Sequence, residues 1–425
     1  MLRFTVCSDR KIMDTSIIVG IDIGSTKVCT LVAQIDDNQA LRILGVGIEP
    51  SKGMGKGSII DLNAAGQAIA RSIEKAERTS GIEIDSALVS LAGAHIVSEN
   101  SSGVVGISGR TIDAEDLIRA VEAARAVTIP HNREMIHVIH RDFVVDGQGG
   151  IRAPIGMHGY RLEVETHVIT AAAATVENLR QAVAAAGVNV NQFVLNPLAS
   201  AEVVLSEAER EMGVVVCDIG GGTTDMAIYI DGDVWHTMVL AVGGNHVTSD
   251  IAHGLHLPIK QAEEIKLQHG HAQQASVGEN EAFFVHPFGE ESPVQVNRRD
   301  LVHIIEARIE EIFSLVMQEI KRSGYDSLLP AGMVLTGGVS ALPGIREVAK
   351  QVTMMPVHVA QPDDLVGMVD RLHSPAYATS VGLLRWAVLM NEYVDSNEGR
   401  RAHRYRPDTG VDWQKAKSWL RRLLP

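Results

Sequence analysis

Residues 213–230 read GVVVCDIGGGTTDMAIYI, an apolar β-branched run, a polar turn of glycine and threonine, and a second apolar run. This pattern predicts two strands joined by a tight turn. Residues 16–33, SIIVGIDIGSTKVCTLVA, have the same pattern, and the aspartates at the two turns, Asp22 and Asp218, are 196 residues apart (218 − 22). The repetition predicts an α/β protein built from two related halves.

The same offset extends beyond the two turns. It places residues 45–47, GVG, on residues 241–243, AVG, so the repeated unit is predicted to be strand, turn, strand and strand. Gly243 and the following Gly244 are included among the candidate cofactor-binding residues.

Each turn places an aspartate at the end of a strand, followed by glycine, serine or threonine. Backbone N–H groups and hydroxyls in such a turn can approach a phosphate, because glycine has no Cβ in the way. One copy of such a turn is common in ordinary β-hairpins, but two copies that face each other across a cleft indicate a phosphate site. The candidate residues in the two turns are Gly24, Ser25, Thr26, Lys27, Gly220, Gly221, Gly222, Thr223 and Thr224. Asp22 and Asp218 are predicted to hold Mg²⁺ through water, and Lys27 to reach phosphate oxygens.

A third glycine cluster, VLTGGVS at residues 334–340, again follows a predicted strand. Gly337 and Gly338 are candidates to lie against a base or sugar, although an ordinary strand-to-helix connection has the same pattern. Glu263 and Lys266 are three residues apart on one predicted helix face and can contact ribose hydroxyls and a purine. A solvated helix face is the alternative for that pair.

The composition excludes several classes of protein. The chain has 425 residues, 45% of them hydrophobic, and 52 acidic against 38 basic residues give a net charge of −14. That balance repels a polyphosphate backbone, so no nucleic-acid partner is predicted. Three cysteines without CxxC spacing fit neither a disulfide framework nor a zinc site, and they fit a reducing cytoplasm. No apolar run reaches the roughly 18 residues of a membrane span, and residues 1–15 are predicted to be an unstructured leader with Met13 as a candidate start.

Five segments, in this order along the chain, resemble the actin, sugar-kinase and heat-shock ATPase superfamily. They are DIGSTK (22–27), NPLASAE (196–202), DIGGGTTD (218–225), VLTGGVSALPG (334–344) and SPAYATSVGLL (374–384). The resemblance implies two phosphate loops, two connecting helices and an adenosine loop, with ATP and Mg²⁺ between two halves that hinge. Small residues in the predicted connecting helices allow a close crossing; they are Ala199, Ser200, Ala201, Ala376, Ala378 and Ser380.

An insertion at residues 85–166 narrows the resemblance. Strand-like alternation flanks a helical stripe behind an Asp113 N-cap, which predicts a compact αβ subdomain. Residues 90–110 and 138–170 closely resemble the FtsA family of bacterial cell-division proteins, which carries an extra subdomain at this place. The pilus scaffold PilM shares the insertion more distantly.

The C-terminal segment differs in composition from the rest. Residues 399–425 hold eight basic and two acidic residues, a charge of +6 (8 − 2), which leaves −20 (30 − 50) on residues 1–398. Asp412 is a candidate N-cap for an amphipathic helix of the kind that lies on an anionic membrane surface. Docking of that helix on the protein's own body, or on a calmodulin-like partner, stays open. The candidate membrane residues are Trp413, Lys415, Trp419, Leu420, Arg421, Arg422, Leu423 and Leu424.

The predicted organisation assigns every part of the chain. It consists of the leader (1–15), a first half (16–84 and 167–205, with 374–390 packing back on it), an inserted subdomain (85–166), a second half (206–243 and 330–373) with its own insertion (244–329), a linker (391–411) and a terminal helix (412–425).

Resemblance to the FtsA family implies a protein that polymerises on the cytoplasmic side of the cell membrane at the division septum, anchors the FtsZ ring and recruits later divisome proteins. The FtsZ C-terminal tail is expected on residues 244–329, with Arg298, Arg299, Glu306 and Arg308 as candidate contacts. A PilM-like scaffold is the nearer alternative. A small-molecule kinase, with Asp225 as its candidate catalytic residue, is the more distant one.

The residue before the proline of the first connecting helix bears on catalysis. Relatives in the superfamily have a glutamate there that deprotonates the attacking water, whereas this chain has Asn196 before Pro197. An amide can orient water but cannot accept its proton, so slow or negligible hydrolysis is expected.

Overall fold

The computed structural model describes residues 17–35, 40–126, 129–363 and 365–398. The strands are β1 (Ile17–Ile23), β2 (Lys27–Ile35), β3 (Leu41–Pro50), β4 (Met54–Gly55), β5 (Ser58–Ile59), β6 (Ser86–Leu91), β7 (Val97–Thr111), β8 (Arg133–Val145), β9 (Gln148–Ile151), β10 (His158–Ala172), β11 (Asn189–Leu195), β12 (Val214–Ile219), β13 (Thr224–Ile230), β14 (Asp233–Leu240), β15 (Ala282–Val285), β16 (Val294–Asn297), β17 (Gly332–Thr336), β18 (Val357–Val359) and β19 (Val366–Gly367). The helices are α1 (Leu62–Ser80), α2 (Ala114–Arg125), α3 (Ala173–Ala184), α4 (Asn196–Val204), α5 (Glu207–Met212), α6 (Gly244–Gly254), α7 (Ile259–His269), α8 (Arg298–Ser323), α9 (Ile345–Thr353) and α10 (Ala378–Glu398).

Two sheets repeat one topology. The first has the order β11-β6-β1-β2-β3-β19 and the second the order β14-β13-β12-β17-β18. In each sheet an antiparallel hairpin, β1–β2 or β12–β13, is followed by a third antiparallel strand, and the first strand of the hairpin pairs in parallel with a later strand. The strands of both hairpins are buried on both faces, which explains their nearly continuous apolar runs. The predicted duplication of an α/β half is confirmed.

The predicted alignment of the third strands is wrong. Thr30 on β2 pairs with Gly47, and its counterpart Met226 on β13 pairs with Met238, so Gly47 corresponds to Met238 rather than to Gly243. The reason is the length of the hairpin connection. Gln34 pairs with Arg42, eight residues further on, but its counterpart Ile230 pairs with Asp233, three residues further on, so the tip of the first hairpin is five residues longer and a constant offset cannot hold past the turn.

A separate four-stranded sheet, in the order β7-β10-β8-β9, is inserted in the first half and covered by α2. The Asp113 side chain caps α2 by accepting a hydrogen bond from the Asp116 backbone N–H, as predicted. The predicted start of the insertion at residue 85 is wrong, because β6 pairs in parallel with β1 and β11 and so belongs to the first large sheet. An apolar strand looks the same in sequence whichever sheet it joins.

Helices α4 and α10 cross where the two halves meet. α10 packs against α4 and against β1, β2 and β6 of the first sheet. Gly382 makes the close approach possible, since a Cβ there would lie 1.9 Å from the Ala199 carbonyl oxygen. The predicted linker from residue 391 is wrong at its start, because α10 continues to Glu398. The first glycine or proline after residue 391 is Gly399.

Some predicted segments fall outside this description. The leader (residues 1–15), the rest of the linker and the terminal helix (412–425) lie outside the described residues. Among those that are described, no helix is long and apolar enough to cross a membrane.

The helix crossing gives a first test. A methyl group at Gly382 must displace the α4 backbone, so Gly382→Ala is expected to lower the free energy of unfolding by about 1–3 kcal/mol in urea denaturation. Gly66→Ala on α1 is the matched control, since its Cβ would meet the nearest atom at 3.6 Å. That variant is expected to be neutral or to gain up to about 1 kcal/mol in helix propensity. Equal stability of the two variants would contradict the assigned crossing.

Candidate functional site

A cavity of about 500 Å³ lies between the turn after β1 and the turn after β12. Most of the residues predicted from sequence line it: Asp22, Gly24, Ser25, Thr26, Lys27, Asn196, Asp218, Gly220, Gly221, Gly222, Thr223, Gly244, Glu263, Lys266, Gly337 and Gly338. Thr224 and Gly243 do not line it. The Thr224 hydroxyl is buried and donates to the Val242 carbonyl at 2.8 Å, and Gly243 packs on the carbonyl of Gly220. These two residues support the second turn on the side away from the cavity.

The two turns that line the cavity also contact each other. A Cβ at Gly221 would lie 2.0 Å from the Thr26 hydroxyl oxygen, and one at Gly222 would lie 2.3 Å from the Ser25 hydroxyl oxygen. Glycine at both positions is therefore required for the close contact between the two turns, because a larger residue would clash with the hydroxyls of the first turn. The backbone of one half and the hydroxyls of the other then face the same small volume, which is the arrangement that a chain of phosphates requires.

The start of α6 completes the second turn. The backbone N–H of Asn245 donates to the Gly221 carbonyl at 2.7 Å, and that of Gly244 donates to the Gly220 carbonyl at 3.0 Å. Asn245 lines the cavity, so the positive end of the helix dipole lies beside it. Sequence analysis missed Asn245, although a GGN run before a helical pattern is a usable signal for such a helix start.

One helix contacts both predicted metal-side carboxylates. The Ser380 hydroxyl donates to Asp22 Oδ2 at 2.7 Å, and the Thr379 hydroxyl donates to Asp218 Oδ2 at 2.7 Å. Both carboxylates are about 5% exposed. Burial raises the pKa of Asp218 to about 6, the negative charge of Asp22 adds to that rise, and the hydrogen bond from Thr379 opposes it.

Asp225 is a third buried carboxylate on the cavity wall. Its Oδ2 accepts hydrogen bonds from the Thr223 hydroxyl at 3.0 Å and from Asn196 Nδ2 at 3.5 Å. Within the described part of the chain, its Oδ1 and the Oδ1 of Asn196 have no hydrogen-bond partner. Burial, reinforced by the charge of Asp218, raises the pKa of Asp225 well above its ordinary range. Sequence analysis considered Asp225 only as the catalytic residue of the kinase alternative. Its place as the last residue of the DIGGGTTD motif was a signal that it belongs to the site.

The opposite end of the cavity is lined by α7 and by the third glycine cluster. Lys266 Nζ lies 2.6 Å from Glu263 Oε2 and 2.8 Å from the Thr248 hydroxyl, so this pair is already held in place. Gly337 has φ of 86°, and a Cβ there would lie 2.4 Å from Asp218 Oδ1. Its left-handed backbone brings the third cluster against the second turn.

The ammonium group of Lys27 is held by neighbouring residues. Its Nζ donates to the Ala376 carbonyl at 2.5 Å and lies 4.7 Å from the centre of the Tyr377 ring. The ammonium group is thus fixed at the start of the second connecting helix while still lining the cavity.

The four candidate peptide contacts on α8 are paired within the chain. Arg298 pairs with Glu281, Arg299 with Glu279 and Arg308 with Asp250, while Glu306 accepts from the Gln274 backbone N–H. Arg298 also lines the nucleotide-sized cavity, which sequence analysis did not foresee.

Two halves of the same topology, each contributing an aspartate turn to one cavity and joined by crossing helices, define an actin-like fold with a cleft between the halves. Among solved structures, the PilM–PilN type IV pilus biogenesis complex matches with a TM-score of 0.61 at 16% identity, over 87% of this chain and 98% of that chain. MreB5 of Spiroplasma citri bound to ADP matches with a TM-score of 0.53 at 14% identity, over 89% and 98%. At these identities the matches show the fold alone.

Sequence comparisons identify the family. Residues 215–382 match the family model described as "Cell division protein FtsA", and residues 93–170 match "SHS2 domain inserted in FTSA". The cell division protein FtsA of Pseudomonas aeruginosa is 41% identical over 371 residues, 87% of this chain and 89% of that protein. The chain belongs to the FtsA family of cell-division proteins. The pilus-scaffold alternative has the weaker support, since the likeness to PilM extends only to the fold.

The raised pKa of Asp218 gives a test of site electrostatics. Its folded-state pKa of about 6 lies above the ordinary 3.8, so ionising it costs stability; the cost is complete above pH 6 and vanishes below about pH 4. Asp218→Asn is therefore expected to raise the free energy of unfolding of the nucleotide-free protein by about 1–3 kcal/mol at pH 8 and to leave it unchanged near pH 4.

Asp326→Asn, at an exposed position of the same half, is the control and should change little at either pH. A less stable Asp218→Asn protein at pH 8 would show that local hydrogen bonds outweigh the burial of the charge.

Proposed function

We propose that this chain binds ATP with Mg²⁺ between its two halves, assembles into filaments on the cytoplasmic side of the cell membrane, and tethers the FtsZ ring there during division. The observation that carries the first part is the contact of the two aspartate turns across one cavity. Membership of the FtsA family supports the remaining parts.

The residues present fit a nucleotide. Backbone N–H groups of residues 25–26 and 221–223 would hold the β- and γ-phosphates, with Lys27 and the positive end of the α6 dipole at their edge. Asp22 and Asp218 would hold Mg²⁺ through water, and the metal would neutralise phosphate charge. Glu263 and Lys266 would contact the ribose and purine, and Gly337 and Gly338 would lie against the adenosine.

The polar groups beyond the phosphate turns support slow chemistry. Asn196 can orient a water molecule but takes up no proton, and the neighbouring Asp225 is the nearest buried carboxylate with an unpartnered oxygen among the described residues. Its other oxygen, Oδ2, already accepts hydrogen bonds from the Thr223 hydroxyl and from Asn196 Nδ2, so we place Asn196 rather than Asp225 beside the attacking water. We therefore assign this cleft to a switch that is set by bound nucleotide and turns over slowly.

Nucleotide binding can be tested directly. When the full chain is titrated into a fluorescent ATP analogue with Mg²⁺, binding should change the fluorescence of the analogue. Asp218→Ala should abolish that binding, because the metal loses its support from the second half. Turnover should fall orders of magnitude below the median enzyme value of roughly 10 per second. Asp326→Ala is the matched control and should bind normally. Turnover typical of a metabolic kinase would contradict the proposal.

Membrane attachment is proposed from the C-terminal segment. Its charge of +6 contrasts with −20 on residues 1–398, so an anionic surface attracts the tail and repels the body. Each cation near an anionic leaflet contributes about 1 kcal/mol, and buried Trp and Leu side chains add a few more. A single copy should therefore bind reversibly, and a filament should bind firmly because each attached copy raises the effective concentration of the next.

The FtsZ tail is proposed to bind the insertion of the second half. Arg308 and Arg299 are candidates there because their present partners, Asp250 and Glu279, keep side-chain exposures of 29% and 79% and can be exchanged for an incoming acidic group. Such exchange is inexpensive for Arg299, because an exposed ion pair stabilises the fold by at most about 1 kcal/mol. It costs more for Arg308, which holds Asp250 through two hydrogen bonds.

A vesicle assay tests attachment and tethering together. The full chain with ATP should co-sediment with phosphatidylglycerol-containing vesicles and bring down a labelled FtsZ C-terminal peptide, whereas the chain ending at residue 411 should leave both in the supernatant. Arg308→Ala should lower peptide recovery but not vesicle binding. Arg322→Ala, near the far end of the same helix, is its control. Equal sedimentation of the truncated chain would contradict the membrane role of the tail.

A further inference from the structure

The inserted sheet is built into the first half. Both of its chain connections lead to the first half, since β7 follows β6 and β10 continues directly into α3. Ile136, Ile169 and Ala171 from its strands pack in the apolar core that contains β1, β2 and α10, a core that residues of the second half such as Val234 and Val239 also join. The backbone N–H of Leu195, at the end of β11, donates to His137 Nε2 on β8 at 3.1 Å. This end of the inserted sheet therefore moves with the first half.

The same sheet also contacts the second half. The Arg141 guanidinium on β8 lies 4.3 Å from the centre of the Trp235 ring on β14 and 5.8 Å from that of Tyr325, which follows α8. Its Nη2 donates to the Tyr325 hydroxyl at 3.4 Å. The two rings meet edge to face at 5.4 Å, so one cation is held by a pair of aromatic side chains from the other half.

Hydrogen bonds extend this contact along β14. The Ser98 hydroxyl on β7 donates to the Thr237 carbonyl at 2.8 Å, and His167 Nε2 on β10 lies 2.9 Å from the Thr237 hydroxyl. His167 Nδ1 lies 2.8 Å from Asn100 Oδ1. Burial lowers the pKa of His167 to about 3, so the ring is neutral and bridges the two halves as one donor and one acceptor.

We name these residues the inter-half clamp: Ser98, Asn100, Arg141 and His167 from the inserted sheet, with Trp235, Thr237 and Tyr325 from the second half. Parting the two surfaces of the clamp would cost less than the loss of its contacts alone suggests. Arg141 Nε, Trp235 Nε1 and His236 Nε2 are buried there without a hydrogen-bond partner among the described residues. Water would satisfy all three if the surfaces parted, which offsets part of the loss of the clamp's contacts.

We propose that the inter-half clamp restrains rotation of the two halves about the crossing of α4 and α10, so that the inserted sheet controls how readily the cleft opens. Any such rotation moves β14 relative to the inserted sheet, because that sheet belongs to the first half. Coupling of this kind is reciprocal: a partner that draws the inserted sheet away from β14 changes nucleotide affinity, and nucleotide changes the affinity for that partner.

Arg141→Ala in the full chain tests the proposal. Without nucleotide, backbone amides of β14 and β7 should exchange hydrogen faster than in the unmodified protein. A fluorescent ATP analogue should dissociate at least about fivefold faster in stopped flow. Arg161→Ala is the matched control, because Arg161 lies on the same sheet and its ion pair with Glu163, at 3.0 Å, stays within it. Arg141→Lys, which keeps a cation between the rings, should restore part of the wild-type rate.

The readouts separate the possible failures. The nucleotide measurement rests on the proposed ATP binding, whereas hydrogen exchange does not. Faster exchange confined to β14 and β7 supports the clamp even if the unmodified protein binds no nucleotide, a result that would refute the ATP proposal instead. If Arg141→Ala is poorly folded, Ser98→Ala removes a single hydrogen bond at the same surface and should show the same direction of change. Exchange and release rates equal to those of Arg161→Ala overturn the proposal.

Discussion

The hydroxyl groups of two adjacent residues on one helix tie the two halves of this protein together. Ser380 donates to the carboxylate of the first turn and Thr379 to that of the second, at 2.7 Å each. Both bonds are buried, so neither hydroxyl has water as a ready substitute, and breaking one leaves a desolvated carboxylate. The position of α10 therefore fixes both turns at once. The cleft depends on this arrangement, because turns held at another spacing would not meet across the cavity.

Small residues make that arrangement geometrically possible. Gly382 lets α10 lie on the backbone of α4, and Gly221 and Gly222 let the second turn rest on the hydroxyls of the first. At each place a methyl group would occupy space already taken by backbone or by a short side chain. Close packing that excludes a single carbon atom is intolerant of substitution, and it turns a general fold into a defined spacing between opposing groups.

The sequence predicted what local pattern determines. The repeated aspartate turns, the two related halves, the αβ insertion and most of the cavity wall could be inferred from β-branched runs, glycine clusters and family motifs. Sequence spacing failed where pairing depends on distant partners. Strand β6 has an apolar pattern that fits either sheet, and the third strands of the halves lose register because their hairpin connections differ in length. The hydroxyls of Thr379 and Ser380 reach the site only through helix packing, which no local pattern encodes. The pairing of Arg298 with Glu281 likewise required the fold.

Helix α10 has a consequence beyond the cleft. Its 21 residues from Ala378 to Glu398 form one uninterrupted helix, a rod of roughly 30 Å. Thr379 and Ser380 lie in its first turn, and the basic segment continues from its other end. A helix resists stretching and bending far more than a linker does, so tension applied to the basic segment acts on the same rod that spaces the two carboxylates. The proposed membrane anchor and the proposed nucleotide site are thus connected by a single helix.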